Sequence, residues 1–173
     1  SASQIVDFMG FEALAASENV IIVAPESDGS PYEWHIADLP ASNPDLTFFD
    51  DVVACLYDQY QIDENHIHAT GMSAGGLWTT YLTVYRSELL ASTAPLSGGV
   101  NTAQYVSPTR ALPVMVVWGG PSDTYGTLSF DTTSRDFSSA LQSDGSFVVE
   151  CMHTAGHVIP AAAAEYTWQF FKD

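Results

Sequence analysis

Three side chains in this sequence have the types and settings that nucleophilic acyl transfer needs. The first is Ser73, at the centre of Gly71-Met72-Ser73-Ala74-Gly75. A serine hydroxyl attacks a carbonyl only when it is held exposed beside a base, and a G-x-S-x-G turn between a strand and a helix achieves this by putting the serine at the apex of a tight bend. At average Gly and Ser usage the pattern arises by chance in about one chain in twenty of this length, so its context decides. The context fits: His66-Ile67-His68-Ala69-Thr70 leads in as a strand, and Leu77-Trp78-Thr79-Thr80-Tyr81-Leu82 leads out as a helix. The second side chain is Asp123, the candidate acid, which closes the loop Gly119-Gly120-Pro121-Ser122 after the apolar run Val114–Trp118. The third is His157, the candidate base, which follows the run Phe147–Cys151 inside Met152-His153-Thr154-Ala155-Gly156-His157. Asp131 competes for the acid role and His153 for the base role. His66 and His68 alternate on one strand and read as structural. His35 lies in a loop beside Trp34, either lining a pocket or facing solvent. Cys151-x-His153 has no complementary ligand pair nearby, so neither a metal nor a cofactor is expected.

The elements that must position these groups alternate between helix and strand. A helix is predicted over Ser3–Ala16, a strand over Val20–Ala24 ending at Pro25, and a Pro-, Ser- and Asp-rich loop to about Thr47. A helix follows over Phe48–Tyr60, whose apolar residues Phe48, Phe49, Val52, Val53, Leu56 and Tyr60 share one face. Then come the strand Ile67–Thr70, the helix Gly76–Tyr85, and a strand over Ser92–Leu96 closed by Ser97-Gly98-Gly99. The rest reads as a strand over Val114–Trp118, a helix over Ser129–Ser143 ended by Asp144-Gly145, a strand over Phe147–Glu150, and a terminal helix from Pro160 or Ala161 to Phe171. This alternation predicts an α/β fold, a mostly parallel sheet covered by helices on both faces, in one domain spanning residues 1–173. In such sheets ligands bind beyond the carboxyl ends of the strands, and Ser73, Asp123 and His157 all follow predicted strand ends.

The 173 residues are 46% hydrophobic and 12% aromatic, enough for one hydrophobic core. Only Arg86, Arg110, Arg135 and Lys172 are basic against 21 acidic residues, giving a formal net charge of −17. Such a surface repels nucleic acid and anionic membranes, excludes both as partners, and favours an uncharged substrate. No run of apolar residues is long enough to span a bilayer as a helix. Cys55 and Cys151 fall on elements expected to lie apart, so both are expected to be free, packed thiols. Trp34, Trp78 and Trp118 are candidate pocket walls, because one lies in the long loop and two adjoin the candidate reacting groups.

The chain order Ser, Asp, His, with each residue just after a strand, resembles that of the α/β-hydrolases rather than that of chymotrypsin or subtilisin. Within that superfamily the sequence is most similar to the polyhydroxybutyrate depolymerase and feruloyl esterase group of extracellular esterases. The matching pieces cover nearly the whole chain: Gly10-Phe11 through Ala24-Pro25-Glu26, Trp34, Tyr60-Gln61-Ile62-Asp63, Ala69 through Gly76, Pro95-Leu96-Ser97-Gly98-Gly99, Trp118 through Asp123, and Cys151-Met152-His153 with Gly156 through Pro160. The resemblance implies a carboxylic ester hydrolase with Ser73 as nucleophile, Asp123 as acid and His157 as base. It also implies a small-molecule or polymeric ester substrate and an extracellular or periplasmic location. Relatives of this kind begin with further strands and a His-Gly loop that supplies part of the oxyanion hole, and Ser1-Ala2-Ser3 stands about where that loop ends. The N–H of Ala74 remains as one oxyanion donor. An open sheet edge would favour self-association, and the competing expectation is a catalytically silent, hydrolase-derived binding module.

Overall fold

The computed structural model describes residues 1–29 and 33–172. The part of the predicted loop at 30–32 lies outside the described residues.

Four parallel strands form the frame: β1 (His68–Met72), β2 (Ser92–Leu96), β3 (Val114–Trp118) and, after a two-stranded hairpin of β4 (Thr124–Tyr125) with β5 (Leu128–Ser129), β6 (Val148–Met152). Their spatial order is β1-β2-β3-β6. The two inner strands are buried at every position, as a strand covered on both faces must be. The helices are α1 (Ala2–Phe8), α2 (Phe11–Glu18), α3 (Pro44–Gln59), α4 (Ala74–Tyr85), α5 (Phe130–Ser143) and α6 (Ala163–Lys172).

Strand alternation divides the core into two layers. Val114, Val116 and Trp118 of β3 face one layer, with Leu46 of α3, Trp78, Tyr81 and Leu82 of α4, and Phe137 and Leu141 of α5. Met115 and Val117 face the other, with Met9, Ala94, Leu96 and Ala163, flanked by Tyr166 and Phe170 of α6. The expected α/β architecture, helices on both faces of a mostly parallel sheet, is therefore the observed one.

Three elements differ from their sequence reading. The single helix expected over Ser3–Ala16 is two, because Gly10 stands at φ +58, a left-handed conformation that ends α1 and starts α2. α3 begins at Pro44 rather than Phe48, because Asn43 accepts from the N–H groups of Asp45 and Leu46 and Pro44 needs no acceptor in the first turn. The strand expected over Val20–Ala24 is absent as a strand. Its residues alternate between half-buried and exposed, with Ile21 and Val23 each 47% exposed, but they join no ladder among the described residues. β-Branched composition makes a segment fit a sheet, and only a neighbour's N–H and C=O groups make it a strand.

At the start of β1, His68 is wedged into the sheet. Its Nδ1 lies 2.8 Å from Ser92 Oγ, and its ring stacks on Phe171 at 4.7 Å. Burial, with a smaller contribution from neighbouring His66, lowers its pKa from 6.5 to about 4. The unfolded chain takes up this proton near pH 6.5 and the folded chain only near pH 4, so stability falls as pH drops through that window. Melting curves of the native protein should lose more between pH 6.5 and 4 than those of His68→Asn, which lacks the titrating group.

Candidate active site

β1 runs directly into Ser73, whose N–H still bonds the Leu96 carbonyl of β2 at 3.0 Å, so the turn is pinned to the sheet. Ser73 sits at φ +57, ψ −116, a strained conformation for a residue with a side chain. The strain holds because the turn has no room to relax. A Cβ on Gly71 would lie 2.5 Å from the carbonyl oxygen of Gly75, and one on Gly76 would collide with the Leu96 carbonyl. A Cβ on Gly75, by contrast, meets nothing within 4 Å. The steric demand thus falls on Gly71 and Gly76, not on both glycines of the G-x-S-x-G pattern. Gly76→Ala should cost about 2–3 kcal/mol in thermal melts. Gly75→Ala should leave stability unchanged or raise it by up to about 1 kcal/mol, through helix propensity.

β3 delivers the carboxylate. After Trp118 the chain makes a single 3₁₀ turn over Gly120–Ser122, closed by the Asp123 N–H on the Gly120 carbonyl at 2.9 Å, which leaves Asp123 fully buried. Its Oδ2 accepts from the Gly119 N–H and from the Ser97 hydroxyl, both at 2.7 Å. Its Oδ1 lies 2.7 Å from His157 Nδ1. His157 stands in the loop after β6, and its Nε2 lies 2.9 Å from Ser73 Oγ. Phe130, the first residue of α5, stacks on the imidazole at 4.8 Å with 12° between the planes. The two loops lock together at Gly119, where a Cβ would strike the Gly156 carbonyl one residue before the histidine.

The structure thus brings Ser73, His157 and Asp123 into one continuous line. With Nδ1–H donating to the buried carboxylate, Nε2 is left as the acceptor for the serine proton. Ala74 opens α4 directly after Ser73, so its N–H has no acceptor within the helix.

The competing residues are engaged elsewhere. Asp131 accepts from Trp118 Nε1 at 2.7 Å and from Arg135 Nε at 3.1 Å, and these bonds, the arginine's above all, hold its carboxyl below the ordinary carboxylate range. His153 accepts from the Ala155 N–H at 3.2 Å. His35 bonds Asp38 at 2.8 Å and Asp28 at 3.3 Å. His66 bonds Asp63 at 2.8 Å. Cys55 and Cys151 are both free, as expected, but they are not both packed: Cys55 is exposed on α3 and Cys151 half-buried on β6. Among the described residues, no group of three or more His, Cys, Asp or Glu side chains is arranged to hold a metal ion, and no helix is long and apolar enough to cross a membrane.

The three tryptophans expected as pocket walls are core residues instead. Trp34, Trp78 and Trp118 are 9%, 7% and 1% exposed. Trp34 stacks on Trp78 at 5.4 Å and Trp78 on Tyr81 at the same distance, while Arg135 covers the Trp118 ring. Adjacency in sequence misled here, because successive residues of a strand or helix point to different faces. The aromatic groups beside the imidazole are Phe130 and, 6.2 Å away on the hairpin, the exposed Tyr125. Neither carries a sequence signal; Ser97 and Gly119 fall within pieces that carry the family resemblance, but neither has a role legible in the sequence. All four act through contacts that exist only once β2, β3 and α5 are assembled.

Ser73, Asp123 and His157 stand just past the carboxyl ends of β1, β3 and β6 of one parallel sheet, and solved esterase structures share this fold. Esterase PE8 superimposes with a TM-score of 0.71 at 16% identity, covering 99% of this chain and 86% of that one. In sequence, the oxidized polyvinyl alcohol hydrolase of a Pseudomonas species is 25% identical over 159 residues, 68% of this chain and 42% of that protein. The bifunctional acetylxylan esterase/xylanase of Neocallimastix patriciarum is 26% identical over 117 residues, 65% of this chain and 16% of that protein. The chain spans less than half the length of these curated relatives. No family model matches it.

Proposed function

We propose that this chain is a serine esterase that hydrolyses uncharged carboxylic esters through an acyl-enzyme on Ser73. The observation that carries the reading is the line of two hydrogen bonds, 2.7 Å and 2.9 Å, from Asp123 through His157 to Ser73 Oγ.

His157 Nε2 takes the hydroxyl proton as Ser73 Oγ bonds to the ester carbonyl carbon, and the π electrons move onto the carbonyl oxygen beside the Ala74 N–H. Asp123 holds the imidazolium in place and balances its charge. The tetrahedral adduct collapses, the alkoxide leaves with the proton from Nε2, and the acyl group remains on Ser73. Water then attacks with His157 again as base, which releases the acid and restores the serine.

Two features bear on the substrate. A cavity of about 340 Å³ runs along α4 past Leu77, Tyr81 and Tyr85 and is flanked by Val100 and Leu128; Ser73, Asp123 and His157 are not among its lining residues. As a substrate subsite it would take a short aliphatic or aryl group, feruloyl included, or one unit of a polyester, on a substrate that reaches past Leu77 to Ser73. The net charge of −17 disfavours an anionic substrate at long range. The names of the relatives, one a hydrolase of oxidized polyvinyl alcohol and one an acetylxylan esterase, support a carbonyl group carried on a polymer, and the second supports an ester. A polymer is met outside the cytoplasm, in keeping with an extracellular or periplasmic location.

Treatment with a serine-reactive fluorophosphonate, followed by peptide mass spectrometry, should find the adduct on Ser73, with turnover of p-nitrophenyl acetate and butyrate in the untreated protein. A folded protein that neither labels nor turns over would sink the proposal and favour a silent binding module.

A further inference from the structure

We infer that Ser97 is a positioning residue of the esterase site, its hydroxyl fixing the charge and orientation of the Asp123 carboxylate. The inference rests on the serine esterase reading and extends it to a fourth side chain.

Three observations carry it. First, the Ser97 hydroxyl donates to Asp123 Oδ2 at 2.7 Å, opposite the oxygen that faces His157. Ser97 is 1% exposed and Asp123 fully buried, so bulk solvent does not compete for this bond in the folded chain. Second, Ser97 is held by the sheet and not merely near it: its N–H bonds the Val117 carbonyl of β3 at 2.8 Å. Its hydroxyl and the Gly119 N–H therefore reach Oδ2 from the carboxyl ends of two adjacent strands, β2 and β3, which fixes the carboxylate plane. Third, Ser97 adopts φ +44, in the left-handed region that disfavours any residue with a Cβ. Glycine would sit there without strain, and the chain has glycines at the next two positions, Gly98 and Gly99. A strained non-glycine whose hydroxyl points at the buried acid is the kind of outlier that positions a functional group.

The sign of the effect follows from the charge on Oδ2. The Ser97 hydroxyl draws off part of the carboxylate's negative charge. Without it that charge weighs more heavily on the imidazolium, and the neutral imidazole needed to accept the serine proton is reached only at higher pH. A bond from a hydroxyl to a charged group is among the stronger protein hydrogen bonds, so Ser97→Ala should lower kcat about 10- to 100-fold with KM little changed. The acidic limb of its kcat/KM–pH profile should move up by about half a unit or more.

The test compares Ser97→Ala, Ser97→Gly and Ser73→Ala, with p-nitrophenyl butyrate as substrate and melting temperature as a check on folding. Ser97→Gly removes the hydroxyl but relieves the backbone. If the hydroxyl matters, both Ser97 variants lose rate and show the displaced limb, although Gly is the less strained. A rate and profile like the parent's would overturn the inference, and so would a loss of rate with the acidic limb unmoved, which is the mark of a merely structural serine. Ser73→Ala separates the two levels: if it keeps the parent's activity, the esterase reading itself fails. In that event the downfield His157 Nδ1–H proton resonance still reads the inference. It should move in both Ser97 variants, and an unmoved resonance would refute the role of Ser97.

Discussion

Ser73→Ala should remove ester hydrolysis almost entirely, by about 10⁴-fold or more in kcat, and should abolish fluorophosphonate labelling. The substitution deletes one oxygen, and nothing else at the apex can attack. The Ala74 N–H and the substrate groove persist, so a residual rate above that of water is expected, with the acyl-enzyme step gone. The fold should survive, because among the described residues Ser73 Oγ bonds only His157, at 2.9 Å, and the turn is held by its backbone bond to Leu96 and by the packing of Gly71 and Gly76. Rates on p-nitrophenyl butyrate, read beside an unchanged circular dichroism spectrum, check this. Activity near the parent's would mean that another group does the chemistry.

Asp123→Asn should cost about as much, about 10⁴-fold, for a reason specific to the hydrogen bonds here. Oδ2 accepts from two donors, the Ser97 hydroxyl and the Gly119 N–H. An asparagine must place its carbonyl oxygen there, because its NH₂ would face the Gly119 N–H donor to donor. The NH₂ then faces His157 Nδ1, which must turn acceptor, and the ring proton moves to Nε2, opposite Ser73 Oγ. An imidazole in that tautomer cannot take the serine proton. The loss should ease at alkaline pH, where hydroxide can remove the proton instead, and a pH–rate profile of the variant shows whether it does. Asp131→Asn is the control. It touches Trp118 and Arg135 rather than His157, so it should leave the rate within a few-fold of the parent.

Both variants probe residues already visible in the sequence, and the reason they were visible is physical. The Gly-rich turn after β1, the loop after β3 and the His loop after β6 each follow a strand-like run, and in a parallel sheet every such run ends on the same side. Order along the chain therefore became proximity in space, and Ser73, Asp123 and His157 lie in one line of hydrogen bonds. Strands β2 and β3 were legible to the residue, because a strand buried on both faces is an unbroken apolar or small-residue run.

Other features were not local properties. Val20–Ala24 has strand composition but joins no ladder among the described residues, since a strand exists only through its neighbour. Trp78 and Trp118 adjoin the site in sequence and Trp34 lies in the long loop, yet all three pack into the core in space. Ser97 closes a strand, and Phe130 opens a helix, yet they meet Asp123 and His157 across 26 residues in one case and from α5 in the other.

Short-range patterns in the sequence were enough for the class of fold and for Ser73, Asp123 and His157 as candidates in that chain order, with Asp131 and His153 as rivals: hydrophobic period, glycine at a tight turn, and a polar residue just past a strand. The tertiary structure alone decided which carboxylate and which imidazole pair, what supports them, and which aromatic rings face the site. Those choices depend on a few tenths of an ångström between segments far apart in the chain, set by packing against a sheet that does not exist until it is assembled.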